Sequence, residues 1–276
     1  MKRTALKFAL NLSVGIAIAL NGQQIVYAQQ ATDPRVADLV RAGKVRVGLG
    51  VVAPHWATKD PATGELRGVA VDLARALATR LGVEFVPVEY PSPPLVLDGL
   101  KTGAWDVGFL GVDPARAAVV DFAPAHMQVD ATFLVPAGSS IRNMADVDQP
   151  GVRIAVALKS VEDTVLSRML KRAELHRAET SAAGFDLLRA GKADALANPR
   201  PSVLRFSAQL PGSRVLEDHF HSTFGAMAVP KGQAGRLAYI SEFIEEAKAS
   251  GLVQRAIERV GVHGVQVAPA GYSSTR

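Results

Sequence analysis

Few residues of this chain have chemistry to offer, and the familiar reaction motifs are missing. There is no Cys, which removes disulfides, thiol nucleophiles and Cys-ligated zinc. No G-x-S-x-G, P-loop or H-E-x-x-H occurs in its 276 residues. Gly48-Leu49-Gly50-Val51-Val52-Ala53 imitates the G-x-G-x-x-A of dinucleotide-binding folds. Pro54, His55 and Trp56 follow where a helix would have to begin, so it is a decoy. His219-Phe220-His221 offers two imidazoles with no third ligand near in sequence, so neither a metal nor a cofactor is expected. What remains is a set of polar residues at strand-to-helix junctions. Asp113-Pro114 reads as a helix N-cap followed by Pro at the first helical position. Ser160 and Val161 precede Glu162 and Asp163, two acids suited to a first helical turn. Arg116 follows an apolar strand, and its guanidinium can fork two parallel charge-assisted hydrogen bonds onto a carboxylate, which Lys cannot do.

The elements that carry these residues alternate. Lys44–Gly50 reads as a strand, residues 68–81 as a helix with Ala70, Leu73, Ala74, Leu77 and Leu81 on one face, and Gly82 as its stop. Val83–Val88 is a strand that Pro87 assigns to an edge or an end. Residues 94–102 read as a helix and 105–110 as an apolar strand. The same order recurs with strands at 152–157, 175–178 and 193–197 and helices at 161–172, 181–190 and 200–209. A long amphipathic stripe through Leu237, Ile240, Phe243, Ile244 and Ala247 closes the chain, continuing past Gly251. Strands alternating with helices predict an α/β fold with mainly parallel sheet, in two lobes of about 90–120 residues.

Charge needs the same local reading. The chain carries a net +5, a pI near 9.6, 48% apolar and 21% charged residues, a composition that excludes disordered and collagen-like classes. Residues 1–28 read as an export signal: Lys2, Arg3 and Lys7, a 13-residue apolar run from Phe8 to Leu20, then Val26-Tyr27-Ala28 before the cleavage point. Its removal takes three basic residues and no acid, which brings the net charge to +2. No basic stripe with interleaved aromatics remains, so nucleic acid is excluded as a partner. A periplasmic location is expected.

Six ordered stretches resemble the bacterial extracellular solute-binding proteins of family 3, the polar-amino-acid type of periplasmic ABC-transporter receptor. They are KVRVG at 44–48, GELRGVAVDLARALATRLGV at 64–83 and LKTGAWDVGFLGVDPARAAVVDFAPA at 100–125. NMADVDQPGVRIAV at 143–156, GFDLLRAGKADALA at 184–197 and GAMAVPKG at 225–232 complete the set. The resemblance implies a type II periplasmic-binding-protein fold of two lobes joined by two crossing strands, near 130–136 and 224–229, with the ligand between them. It divides the chain into a first part of lobe 1 at 29–135, lobe 2 at 136–224, a return to lobe 1 at 225–265 and a disordered tail at 266–276. The implied function is a monomeric receptor that closes on a small solute by a hinge and delivers it to an ABC permease in the inner membrane.

The same resemblance assigns roles to residues. Arg116 would clamp the ligand's carboxylate and Gly111 would offer its backbone amide. Asp113 stands where relatives carry Thr or Ser, so it either caps the following helix or meets a cationic group. Ser160 and Val161, after Lys159, occupy the place where relatives read Gly-Ser/Thr-Thr. Asn198 stands where an Asp usually pairs the ligand's ammonium, and the loop Gly50–Trp56 lacks the anions relatives carry there. Two missing anions point to an organic acid without an amine, because a buried ammonium needs a counter-charge. Trp56 and His55 would wall the cleft, although a loop Trp also serves as core, and His126 stands where relatives have Tyr. An alternative on the same fold is a cyclohexadienyl or prephenate dehydratase, resembled by DVDQPGV at 146–152. It would need Asp163 or Glu162 as a cleft acid.

Overall fold

Glycines end the helices where the sequence places them. A computed structural model describes residues 33–272, so the expected signal at 1–28 lies outside the described residues. Helix α1 (Ala37–Ala42) ends at Gly43, φ 66°, and α2 (Val69–Leu81) at Gly82, φ 67°, a left-handed geometry that L side chains resist. Strand β1 (Lys44–Gly50) lies between them, followed by the small hairpin β2 (Thr58–Lys59) and β3 (Leu66–Arg67). In lobe 1, β1 pairs in parallel with the edge strand β4 (Glu84–Tyr90) and with β5 (Val107–Gly111). Helix α3 (Pro93–Lys101) links β4 to β5, and the short α4 (Pro114–Ala117) leads into β6 (Val120–Val135).

Strand β6 is the backbone of the whole molecule. Its first part pairs with β11 (His221–Pro230), which also pairs antiparallel with β5; its residues Ala131–Leu134 pair with β9 (Ala195–Pro199). Beyond β9 lie β7 (Arg153–Ala157) and β8 (Glu174–Ala178), all three parallel. The order β4-β1-β5-β11-β6-β9-β7-β8 therefore passes from one lobe to the other through one strand, with β10 (Arg214–Val215) and β12 (Val265–Val267) also on β6. Lobe 2 adds α5 (Met144–Val147), α6 (Val161–Met169), α7 (Ser181–Arg189) and α8 (Arg200–Ser207); α9 (Ala234–Ala249) and α10 (Leu252–Val260) return to lobe 1.

Each lobe has its own cores. Leu73, Leu77, Ile240, Phe243 and Ile257 pack on one face of the lobe 1 sheet, and Trp105 with Val96, Leu110 and Val120 on the other. The Trp105 indole donates to Val96 O at 2.8 Å, which satisfies its buried N–H. In lobe 2, adjacent β6 residues feed opposite faces: Phe133 joins Ile154, Leu166 and Leu216, while Leu134 joins Phe185, Leu188 and Phe206. The lobes also share a fastening. Arg46 of β1 forks onto Asp106 ahead of β5, and Arg153 of β7 forks in the same way onto Asp194 ahead of β9.

Two expectations need correction. The helix expected over 161–172 stops at Met169, because the N–H groups of Lys171, Arg172 and Ala173 are captured by the Asp148 carboxylate at 3.0, 2.7 and 3.0 Å. The stretch expected as a disordered tail from 266 begins instead in β12, paired with Met127–Val129 of β6. Ala268 is buried and the Tyr272 ring stacks on Phe224 with centroids 3.7 Å apart, so apolar burial holds this segment through residue 272.

Candidate functional site

Parallel strands leave a crevice beyond their carboxyl ends, and one cavity of lobe 1 is there. It has a volume of about 230 Å³ and is lined by Gly50 and Val52 after β1, Leu110 and Gly111 at the end of β5, and Arg116 of α4. Trp56, Pro93, Phe109 and Thr223 complete its walls. Arg116 is half-buried; its Nη1 donates to Gly111 O at 2.8 Å, and it pairs with no acid among the described residues. A Cβ at Gly111 would stand 3.0 Å from that nitrogen. Glycine thus leaves the guanidinium its place.

Asp113 is the cap of α4. Its Oδ1 accepts from the N–H of Ala115 at 2.9 Å and of Arg116 at 3.2 Å, so its charge holds the backbone that presents Arg116. Asp113→Ala is expected to cost about 1 kcal/mol of stability in a denaturant titration. The loss in ligand affinity should be small beside that of an Arg116 variant.

The loop bearing His55 and Trp56 is fixed by the start of α2. Ala70 N–H donates to Trp56 O at 3.1 Å, and Gly68 crosses beneath with φ 143°. A Cβ on Gly68 would lie 2.2 Å from Trp56 O, an impossible approach to a backbone atom. Gly68→Ala should therefore destabilise the protein by at least roughly 1–3 kcal/mol from the backbone conformation alone, and shift Trp56 fluorescence. Only Gly fits there.

A second cavity of about 150 Å³ shares Trp56 and Thr223 with the first. Its walls include His55, Met127 and Phe224 on one side and Pro199, Pro201 and Ser202 on the other, so it spans both lobes. Burial pushes the His55 imidazole below its ordinary pKa. His126 lines neither cavity. It is fully buried beneath the two aromatic liners, edge-on to Phe109 at 5.4 Å and to Trp56 at 6.4 Å, and neither ring nitrogen has a hydrogen-bond partner among the described residues. Burial, with a smaller push from Lys248, lowers its pKa to about 3, so it is neutral.

Lobe 2 presents the corresponding carboxyl edge of β7 and β9. Ser160 caps α6, its Oγ accepting from Asp163 N–H at 3.1 Å. Lys159 holds φ 62°, a left-handed conformation that costs an L residue about 1–2 kcal/mol. Val161 is half-exposed beside it. Asn198 is buried on β9 opposite Thr132; its Oδ1 accepts from Ser181 Oγ at 2.8 Å while its Nδ2 has no partner. Burial alone would raise the Asp163 carboxyl, but Lys159 N–H at 2.9 Å, Arg177 at 2.8 Å and Ser167 at 3.2 Å hold it below its ordinary value. Asp163 is therefore an ionised structural acid. Glu162 is buried in the same helical turn.

Gly111, Asp113, Arg116, Trp56 and His55 thus gather on the lobe 1 edge, and Ser160, Val161 and Asn198 on that of lobe 2. Sequence reasoning missed Phe109, Leu110, Pro93, Thr223 and Phe224. Pro93 opens α3 and Leu110 stands one residue before the end of β5, whereas Phe109, Thr223 and Phe224 lie within strands, where sequence gives no sign that they reach the crevice.

The family model of the bacterial extracellular solute-binding proteins, family 3, matches residues 45–262. A glutamine-binding protein of Geobacillus stearothermophilus is 26% identical over 184 residues, which cover 65% of this chain and 70% of that protein. Among solved structures, an ancestral cationic amino acid solute binding protein has a TM-score of 0.66 at 25% identity, covering 81% of this chain and 98% of that one. An ancestral cyclohexadienyl dehydratase has a TM-score of 0.57 at 26% identity, covering 82% and 95%. With the match running from β1 to beyond α10, through both lobes and both connecting strands, the chain belongs to the bacterial extracellular solute-binding proteins of family 3.

Proposed function

We propose that this protein is the periplasmic receptor of an ABC importer and captures a small carboxylate-bearing solute that lacks an ammonium group. The observation that carries this reading is one half-buried Arg, without an acid partner among the described residues, in a cleft where no acid lines either cavity. The nearby acids are committed elsewhere: Asp113 caps α4, Asp163 is tied to Arg177, and Asp130 accepts from Gln128, Ser222 and Gln266. An α-ammonium would meet the neutral Asn198 instead of a counter-charge, and burying it unpaired is costly. Relatives are named for glutamine and for cationic amino acids, and the neutral Asn198 supports a different ligand class for this chain.

In this reading the hinge lies where β6 passes from pairing with β11 to pairing with β9, at Asp130–Ala131, and where β11 begins beside it at His221. Closure brings Ser160 and Asn198 over a ligand held by Arg116, and a permease then reads the closed form. In this reading the segment read from the sequence as an export signal directs the receptor, taken as a monomer, to the periplasm.

A thermal-shift panel of amines, amino acids and organic acids tests this. A matching acid at a hundred times its Kd should raise the melting temperature by roughly 5–10 °C, and an amine without a carboxylate should not. The dehydratase reading needs a cleft acid with a proton to give: Asp163 is held ionised by Arg177 and the Lys159 N–H, and Glu162, buried in the same turn, lines neither cavity. Turnover of prephenate, or shifts from amines alone, would overturn the receptor reading.

A further inference from the structure

We infer that the ligand is an apolar monocarboxylate, whose aliphatic or aromatic body fills the cavity between Trp56 and Phe109 while Arg116 holds its single charged end. This rests on the receptor reading and adds to it the chemistry of the part of the ligand that Arg116 does not touch.

Three observations converge. In the Arg116 cavity the side chains other than the Arg itself and the Thr223 hydroxyl are apolar: Val52, Trp56, Pro93, Phe109 and Leu110 form the walls, with glycines and Ala70 between them. A second carboxylate, a carboxamide or a guanidinium on the ligand would find no partner there, and an unpaired polar group loses its hydration without return. The single guanidinium limits the charge to one carboxylate. The adjoining cavity continues along Trp56 to Met127, Val129 and Phe224, with His55, Ser202 and the shared Thr223 as its polar side chains, so apolar surface extends beyond the first compartment toward the other lobe.

The third observation is on lobe 2. Leu158 and Val161 flank Lys159-Ser160 and are 47% and 50% exposed, among the most exposed large apolar side chains described. They stand where β7 ends and α6 begins, on the same edge as Pro199 at the end of the parallel β9, which already lines the second cavity. On lobe 1, Val52 at the cavity is 47% exposed as well. Closing the lobes on an apolar body covers these side chains, whereas closing on a polar one would bury its donors against them. Each further buried methylene on the ligand should then tighten binding about fourfold.

Calorimetric titration with two matched series tests the inference. One is the 2-oxo acids pyruvate, 2-oxobutanoate, 2-oxopentanoate, 2-oxohexanoate and phenylpyruvate, with 2-oxoglutarate as a polar competitor of similar length. The other is alanine, norvaline, norleucine, phenylalanine and glutamine. Affinity is expected to rise about fourfold per methylene in the oxo-acid series, with a heat-capacity change that grows more negative. 2-Oxoglutarate should bind at least tenfold more weakly than 2-oxohexanoate. Val161→Ser, a change at an exposed position, should weaken 2-oxohexanoate by a several-fold larger factor than it weakens pyruvate. Flat affinities, or 2-oxoglutarate as the tightest acid, would overturn the apolar body and leave the receptor reading standing. If only amino acids bind, the amine-free reading fails. The apolar inference is then upheld by norleucine over glutamine and overturned by the reverse order. Binding in neither series would overturn both.

Discussion

Replacing Arg116 with alanine is expected to abolish the proposed carboxylate capture and to leave the fold in place. Its side chain makes one hydrogen bond, to Gly111 O, and α4 buries no residue, so truncation removes little that the fold depends on. The ligand's carboxylate, in contrast, loses both arms of its clamp and would have to be buried unpaired. Truncating one partner of such a charge pair costs about 2–5 kcal/mol, a loss of roughly 30- to 5,000-fold in affinity. Arg116→Lys keeps the charge without the fork and should recover only part of that loss. Calorimetry with the best acid of the panel, beside the melting temperature of the free protein, reads both effects. An affinity within threefold of the original would remove Arg116 from the site.

Acid is expected to weaken the fold before the ordinary carboxylate range is reached, with His126 the main cause and His55 adding in the same direction. The pKa of His126 is about 3 in the folded protein, against 6.5 for an imidazole open to water. Between those values the unfolded chain binds a proton that the folded chain refuses. The contribution of the neutral imidazole is therefore complete above pH 6.5 and declines as pH falls toward 3, by about 1.4 kcal/mol per unit. From pH 6.5 to 4.5 the loss approaches roughly 2–3 kcal/mol. His126→Phe keeps a ring between Trp56 and Phe109 and removes both the proton and the two unpartnered nitrogens. Its stability should exceed the parent's at pH 4.5 by more than at pH 7 in urea titrations at both values. Parallel changes with pH would show that His126 is not the group responsible.

How much of this was legible in the sequence depended on whether the signal was local. Helix α2 declared itself through one apolar face and Gly82, and Arg116 through the strand and N-cap ahead of it. Strand β6 was legible only in pieces, since its pairing with β11, β9, β10 and β12 joins segments as much as 140 residues apart, such as Val267 and Met127. The premature end of α6 has the same origin: Asp148 captures three N–H groups 23 to 25 residues downstream. Phe109 and Leu110 read as core because an apolar strand gives no sign of which residue reaches the crevice. His126 kept its polar appearance in sequence, and only the packing of Trp56 and Phe109 over it shows a buried neutral ring. In each case the missing information was a long-range contact.

The comparison that bears most directly on the cleft uses two ligands that differ at one carbon. Leucine and 4-methyl-2-oxopentanoate share carboxylate and body, and differ only in whether C2 carries an ammonium or a carbonyl. Titrated into the same protein by calorimetry, the oxo acid should bind at least about 30-fold more tightly, the equivalent of ~2 kcal/mol for an ammonium buried without its counter-charge. Leucine binding as tightly as the oxo acid, or more so, would contradict the reading of Asn198 and of the acid-free cleft.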